Sequence, residues 1–318
     1  MAQFSGVRSI RVLFSWEGMQ SVLNGPIPAY STLNYKDYYD NFKRIVDYAT
    51  GLGVRVIIEP WQANASGGAG GAMYKGAVVG AAGSGVTSAH FANFWGQMAG
   101  KFAANPRVLF GLVNEPNNQS TMTWWSAAQA AVTAIRAAGA RYQTILVPGN
   151  GYTGASSWTS NAYDTDATKR SNAYGWLHAN GGAPLYDPMS DIMAEVHTYL
   201  NSDESGSSED ITAYTAARAH LSNTVNEARA QGYQVFLGEI GFKAGVTTGD
   251  GHPASDAWAD FLSYLGDNSD TLVGYTWWAA GDPAWFNDVG ANNGGHYSIT
   301  PTNNYTGDTI NMTMIGSF

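Results

Sequence analysis

The chain has no cysteine among its 318 residues. A disulfide framework, a thiolate metal site and a cysteine nucleophile are therefore excluded. Charge is scarce too: Asp, Glu, Lys and Arg make up 13%, against about a quarter in an average domain. The charge present leans acidic, with 25 Asp and Glu against 16 Lys and Arg and a formal net charge of −9. No Lys/Arg cluster interrupts that balance. A polyanion needs a basic face, so nucleic acid is not an expected partner. No apolar run reaches the roughly 20 residues that cross a bilayer, and no membrane partner is expected. The opening Met1-Ala2-Gln3-Phe4-Ser5 lacks a charged stretch followed by an apolar one, so no signal peptide is expected in this chain.

Aromatic residues are plentiful by contrast, with 11 Trp, 18 Tyr and 12 Phe. Most such rings belong in a core. Trp and Tyr also suit the C–H faces of sugars, because each joins a flat apolar surface to a polar handle.

Short β-branched runs alternate with Ala-rich or amphipathic stretches along the chain. Strands are expected at Ser9–Leu13, Val54–Glu59, Val108–Val113, Thr144–Val147, Ile192–Val196, Gln234–Leu237 and Leu272–Thr276. Helices are expected at Tyr35–Leu52, Ser88–Ala104, Thr123–Ala138, Ala213–Gln231 and Ser255–Leu265, each with a stop signal such as Gly53, Pro106, Gly139 or Gly232 nearby. Strands alternating with helices at this spacing imply a parallel sheet. The expectation is an α/β fold of the TIM-type (β/α)8 barrel, one catalytic domain over 1–318 with a C-terminal extension over 286–318. Eight strands are required, and the first strand is atypical or missing. The alternating tail Asp308–Ile315 is the candidate strand to complete the wall; its packing elsewhere is the alternative. Gly67–Gly85, rich in Gly and Ala after the second strand, is a candidate active-site loop or plain surface filler.

In a barrel of this kind, working residues sit at the C-terminal ends of strands. Those ends read Asn114-Glu115-Pro116, Glu195-Val196-His197-Thr198-Tyr199, Gly238-Glu239 and Trp277-Trp278. Two carboxylates on separate strand ends are what glycoside hydrolysis uses, one giving a proton to the leaving oxygen and the other attacking the anomeric carbon. Glu115 is the candidate acid/base and Glu239 the candidate nucleophile. Asn114 suits a sugar 2-hydroxyl. Period-2 alternation puts Glu195, His197 and Tyr199 on one strand face, where Tyr199 can donate to the nucleophile and His197 can tune the acid/base. Arg11 would keep the nucleophile ionised. The plainer readings are strand-end acids paired with Arg, and a histidine satisfied in the core. Trp277 is expected in the core, since adjacent strand residues face opposite ways.

Asn114-Glu115-Pro116, His197-Thr198-Tyr199, Gly238-Glu239 and Trp277-Trp278-Ala279-Ala280-Gly281 together resemble glycoside hydrolase family 5, and within it the bacterial and fungal endo-β-1,4-glucanases. Arg11-Val12, Gly149-Asn150 before Thr153-Gly154, and Leu200-Asn201-Ser202-Asp203 strengthen the likeness, which runs over roughly residues 6–285. The resemblance implies a retaining hydrolase that cuts internal β-1,4-glucosidic bonds, needs no cofactor, and works outside the cell as a monomer on a polysaccharide. It places Arg11, Asn114, His197, Tyr199 and Trp278 around the sugar at the point of cleavage. One departure concerns the substrate: the family's run like Asp-Pro-His-Asn is here Glu59-Pro60-Trp61-Gln62, so a sugar contact is lost or moved to Gln62. A β-mannanase, another β-glycanase on a decorated polysaccharide, or a catalytically impaired carbohydrate binder are the alternatives. Trp61, Tyr152, Trp158 and Trp285 are candidate sugar platforms. His90, His178, His220, His252 and His296 lack ligand spacing, and no metal is expected.

Overall fold

The computed structural model describes residues 7–30, 37–62, 71–281, 297–300 and 309–315. Its internal packing divides the chain into two compact units, Met1–Thr153 with Ser157–Glu195, and Gly154–Ser156 with Val196–Phe318.

The first unit carries strands β1 (Ser9–Phe14), β2 (Arg55–Pro60), the short hairpin β3 (Met73–Tyr74) and β4 (Ala77–Val78), then β5 (Val108–Gly111) and β6 (Ile145–Pro148). Its helices are α1 (Trp16–Met19), α2 (Tyr38–Gly51), α3 (Ser88–Phe102), α4 (Thr121–Ala137) and α5 (Asn172–His178). The helices start where short polar side chains can take an orphan backbone N–H. Asp37 accepts from Tyr39 to cap α2, Ser120 accepts from Thr123 to cap α4, and Thr87 and His90 form a reciprocal capping pair on α3. β1 pairs in parallel with β2, aligning Arg11 with Ile57 and Leu13 with Glu59, and β2 pairs in parallel with β5. An aromatic cluster fills the space between sheet and helices. Phe14 meets Phe42 edge-on at 4.9 Å, Trp16 lies 5.1 Å from Phe94, and Trp95 meets Phe110 at 5.6 Å. Buried indole N–H groups find carbonyls, Trp95 on Leu112 and Trp124 on Pro148, which removes the penalty of an unpaired donor.

The next strand, β7 (Ile192–Tyr199), gives its first half to the first unit and its second half to the second. The second unit continues with α6 (Ala216–Gln231), β8 (Gln234–Gly241), α7 (Ala254–Asp267), β9 (Leu272–Trp277) and α8 (Ile310–Ile315). Gly232, left-handed at φ 77°, ends α6 and accounts for a glycine there. Its core is again aromatic: Trp258 packs against Phe261, Tyr275 and Trp277 at 5.4 to 5.6 Å.

Every strand pair with a described register, apart from the β3–β4 hairpin, is parallel, and the sheet order is β1-β2-β5-β6-β7-β8-β9. The expected α/β fold with parallel strands in sequence order is what forms, with seven strands in that sheet among the described residues. The tail is a correction. Ile310–Ile315 is helix α8, not a strand. Its alternation misleads because Asn311 is a buried polar residue: its Oδ1 accepts from the Ala244 N–H at 2.7 Å and its Nδ2 donates to the Ser298 carbonyl at 3.1 Å. Asn311 and Met314 are the buried pair, three residues apart as on one helical face. Thr309 starts the helix by accepting from the Met312 N–H at 3.1 Å.

Candidate active site

In the first unit, parallel pairing brings side chains from β1, β2, β7 and the segment after β5 to one cluster. Arg11 donates from Nε to Glu59 Oε2 at 2.5 Å and from Nη2 to Glu59 Oε1 at 2.9 Å, a two-pronged grip that suits the planar guanidinium. The same Nη2 donates to Asn114 Oδ1 at 2.5 Å, and Nε lies 3.3 Å from Glu195 Oε1. The arginine side chain is 4% exposed and both glutamates are 0% exposed. One cation thus stands between two buried carboxylates. Glu59 fits because the adjacent strand carries Gly111, where a Cβ would lie 2.5 Å from Glu59 Oε2. Arg11 and Asn114 were legible as site residues in the sequence; Glu59 was missed. Its signal was an acid at the end of its strand, with a glycine at the end of the next.

Glu115 follows β5, half-buried, at φ 47°. A non-glycine residue in the left-handed region costs of order 1–3 kcal/mol and persists only where its surroundings hold it. Here Asn117 Nδ2 donates to the Glu115 carbonyl at 2.8 Å, and the Tyr152 N–H donates to the Pro116 carbonyl at 3.0 Å. Gly71 lies so near that a Cβ would be 2.8 Å from the Glu115 oxygen. Glu195, on the same strand face as His197 and Tyr199, sits with Arg11 in the first unit.

In the second unit, Tyr199 at the end of β7 donates its phenol to Glu239 Oε2 at 2.5 Å, and His197 Nδ1 lies 3.6 Å from the same oxygen. All three are buried, at 6%, 3% and 5% exposure. Glu239 lies where the β8–β9 register shifts, between the pairs Leu237–Tyr275 and Ile240–Trp277. Such an irregularity re-aims a side chain relative to its strand. Trp278 is half-buried beyond β9, and its N–H donates to the Ile240 carbonyl at 2.9 Å. Trp277, expected in the core, is half-buried like Trp278; it packs on Phe242 and Trp258, and its indole donates to the Tyr297 carbonyl at 2.9 Å.

The expected platforms fare unequally. Trp158 is a correction: it is 0% exposed and meets Trp125 edge-on at 5.9 Å, so no face is open to a sugar. The chain signals an aromatic there but not its depth. Tyr152 is 43% exposed and Trp61 half-buried. Gln62, expected to take over a sugar contact, is 7% exposed, and its amide donates to Glu17. Glu17 also accepts from the Lys75 backbone N–H at 3.1 Å. Trp285 lies outside the described residues, as does the start of the glycine-rich loop; from Gly71 on, that loop packs against Glu115 and forms the β3–β4 hairpin.

Parallel βα units with buried carboxylates at strand ends are the frame of an α/β enzyme, and comparison with known proteins gives the family. Residues 2–281 match the family model described as cellulase (glycosyl hydrolase family 5). The endo-beta-1,4-glucanase A of Emericella nidulans is 31% identical over 282 residues, covering 88% of this chain and 72% of that enzyme. The solved structure of XacCel5A in complex with cellopentaose is 30% identical, with a TM-score of 0.80 over 98% of this chain and 86% of that one. The endo-beta-1,4-glucanase Xac0029 of Xanthomonas axonopodis pv. citri is 28% identical with a TM-score of 0.80 over 99% and 86%. The chain belongs to the cellulase family, glycosyl hydrolase family 5. Its fold is accordingly the TIM-type α/β class anticipated from the strand order, and it is a glycoside hydrolase. No helix among the described residues is long and apolar enough to cross a membrane.

Proposed function

We propose that this chain is a retaining endo-β-1,4-glucanase in which Glu239 is the nucleophile and Glu115 the general acid/base. The observation that carries the reading is the short phenol hydrogen bond from Tyr199 to a buried Glu239. A donor at that distance favours the ionised carboxylate over the acid, and an ionised carboxylate is what attacks an anomeric carbon. Glu239 Oε forms the bond to that carbon while Glu115 delivers its proton to the leaving oxygen. Water, deprotonated by Glu115, then releases the sugar and restores both groups. Asn114, held by Arg11 at 2.5 Å, is placed in the role of donor to the 2-hydroxyl. The polymer, too large to enter a cell intact, puts the site of action outside it. Export, and action as a monomer, belong to this reading.

A substrate panel with product analysis tests it. Carboxymethylcellulose and cello-oligosaccharides are cut internally, the first-formed product keeps the β-anomer, and Glu239→Ala abolishes turnover while oligosaccharide still binds. Initial release of the α-anomer would overturn the double displacement. Turnover of mannan without cellulose derivatives would favour the second reading, a β-mannanase or a β-glycanase for a decorated polymer. That reading draws on Trp61 at the altered position and on the commitment of Gln62 to Glu17. Binding without turnover on any β-glucan would leave the chain as a carbohydrate binder.

A further inference from the structure

We infer that Tyr297, which lies beyond the stretch matched to the family, is a positioning residue that holds Tyr199 on Glu239, with helix α8 as its anchor. The inference rests on the proposed role of Glu239.

Tyr199 donates its phenol to Glu239 Oε2 at 2.5 Å. A phenol performs that task only if its ring cannot tilt, since one ångström of displacement at the oxygen removes the bond. Among the described residues, Gly206 and Tyr297 restrain the ring. Gly206, at φ 69°, lies so near that a Cβ would stand 2.8 Å from it. Tyr297 stacks on it with centroids 5.9 Å apart and planes 22° from parallel. Tyr297 is itself 1% exposed. Its phenol donates to the Ser208 carbonyl, and its own carbonyl accepts from Trp277 Nε1 at 2.9 Å. Its ring also packs on Gly241, two residues past Glu239, where a Cβ would lie 3.0 Å from it. Burial, with Asp210, Glu209 and Asp203 nearby, pushes its phenol well above the ordinary range, so it stays a donor. The strap is tied at both ends. The Ile299 N–H donates to the Ala279 carbonyl at 3.0 Å, and the Ser298 carbonyl accepts from Asn311 Nδ2 and Thr309 Oγ1, each at 3.1 Å. Asn311 then reaches back to the Ala244 N–H on the segment after β8. The family match ends at residue 281, so this support comes from outside the matched stretch.

The test is a mutant cycle read in kcat, KM and pH profile, with Glu239→Ala as a reference. Tyr297→Leu lowers kcat by about tenfold to a hundredfold with little change in KM, the scale expected when a reacting group is misplaced. Its acidic limb moves to higher pH, because a loosened donor favours the ionised carboxylate less. Tyr297→Phe, which keeps the ring, restores most of the kcat. In a Tyr199→Phe background Tyr297→Leu costs little more, since the two act in series. An equal loss in both backgrounds, or wild-type kcat and pH profile in Tyr297→Leu beside an inactive Glu239→Ala, overturns the inference alone. Turnover by Glu239→Ala overturns the nucleophile assignment and this inference with it. Should Tyr297→Leu fail to fold, Asn311→Ala removes one of the two donors to the Ser298 carbonyl and the acceptor of the Ala244 N–H, without touching the ring. A lower kcat at constant KM then supports the inference, and an unchanged kcat overturns it.

Discussion

Arg11 faces two fully buried carboxylates, and the balance of charge at that point decides what each substitution does. Removing the arginine leaves Glu59 and Glu195 buried together with their shared cation gone. Arg11→Met is therefore expected to lower the free energy of unfolding by about 3–5 kcal/mol, the usual cost of breaking a buried pair. Glu59→Gln leaves Arg11 and Glu195 to balance each other and costs less. Urea denaturation of the two variants checks the order, and a larger loss in Glu59→Gln would contradict it. On the proposed roles, Glu115→Gln reduces turnover of polymer by about 10²–10⁴, the range of a lost general acid. It spares kcat/KM on activated aryl glycosides, whose leaving groups need little protonation, while their kcat falls because the water of the second step loses its base. Measured kcat/KM on both substrates decides this, and equal loss on both would remove the acid role from Glu115. Arg11, Asn114, Glu115, His197, Tyr199 and Glu239 were visible in the sequence because each ends or lines a β-branched run. Glu59 was not, because its importance comes from a partner 48 residues away.

Among the elements, the strands and long helices formed close to their expected bounds. β2 was expected at Val54–Glu59 and runs Arg55–Pro60; α6 was expected from Ala213 and starts at Ala216. Their periodicity is local, so the chain carries it without help from contacts. The short α5 was not expected, because seven residues hold too little pattern. What fixes α5 is packing: Gly175 presses on Trp125 of α4, where a Cβ would stand 2.0 Å from the indole. Trp125 in turn meets Trp158 and Trp176 edge-on. Gly175→Ala is a favourable change for an isolated helix, yet here it should destabilise by about 1–3 kcal/mol through overpacking. A melting temperature unchanged or raised by Gly175→Ala would show that the interface yields. The tail failed as a strand for a related reason: Asn311 is buried for its hydrogen bonds, which a hydrophobic alternation cannot express.

For the molecule as a whole, net acidity raises the question of what acid does to stability. Within the first unit Asp187 is 5% exposed and paired two-pronged with Arg136 at 2.7 and 2.8 Å. Burial works against its ionised form, but the guanidinium and the backbone N–H groups of Asp191 and Met189 outweigh it and hold the carboxyl below its ordinary range. A group whose folded pKa is depressed stabilises fully above its unfolded pKa, about 3.9. That contribution is lost as pH falls through the lower folded value. Asp187→Asn should therefore be less stable than wild type at neutral pH, with the gap closing below about pH 4. Urea midpoints across that range test it, and a gap that widens with acid would reverse the sign.

The alternation of strands and helices, the family and the strand-end residues could all be read along the chain. Each of these is written in local period or short motif, where neighbours in the chain are neighbours in space. Folding in three dimensions makes Trp158 core and not platform, turns the tail into a helix and ties Gln62 to Glu17. It alone sets Arg11 between two glutamates and Tyr297 behind Tyr199. Those facts depend on which atoms from distant strands meet in a dry interior, where a missing partner or an extra methyl group changes the free energy by kilocalories.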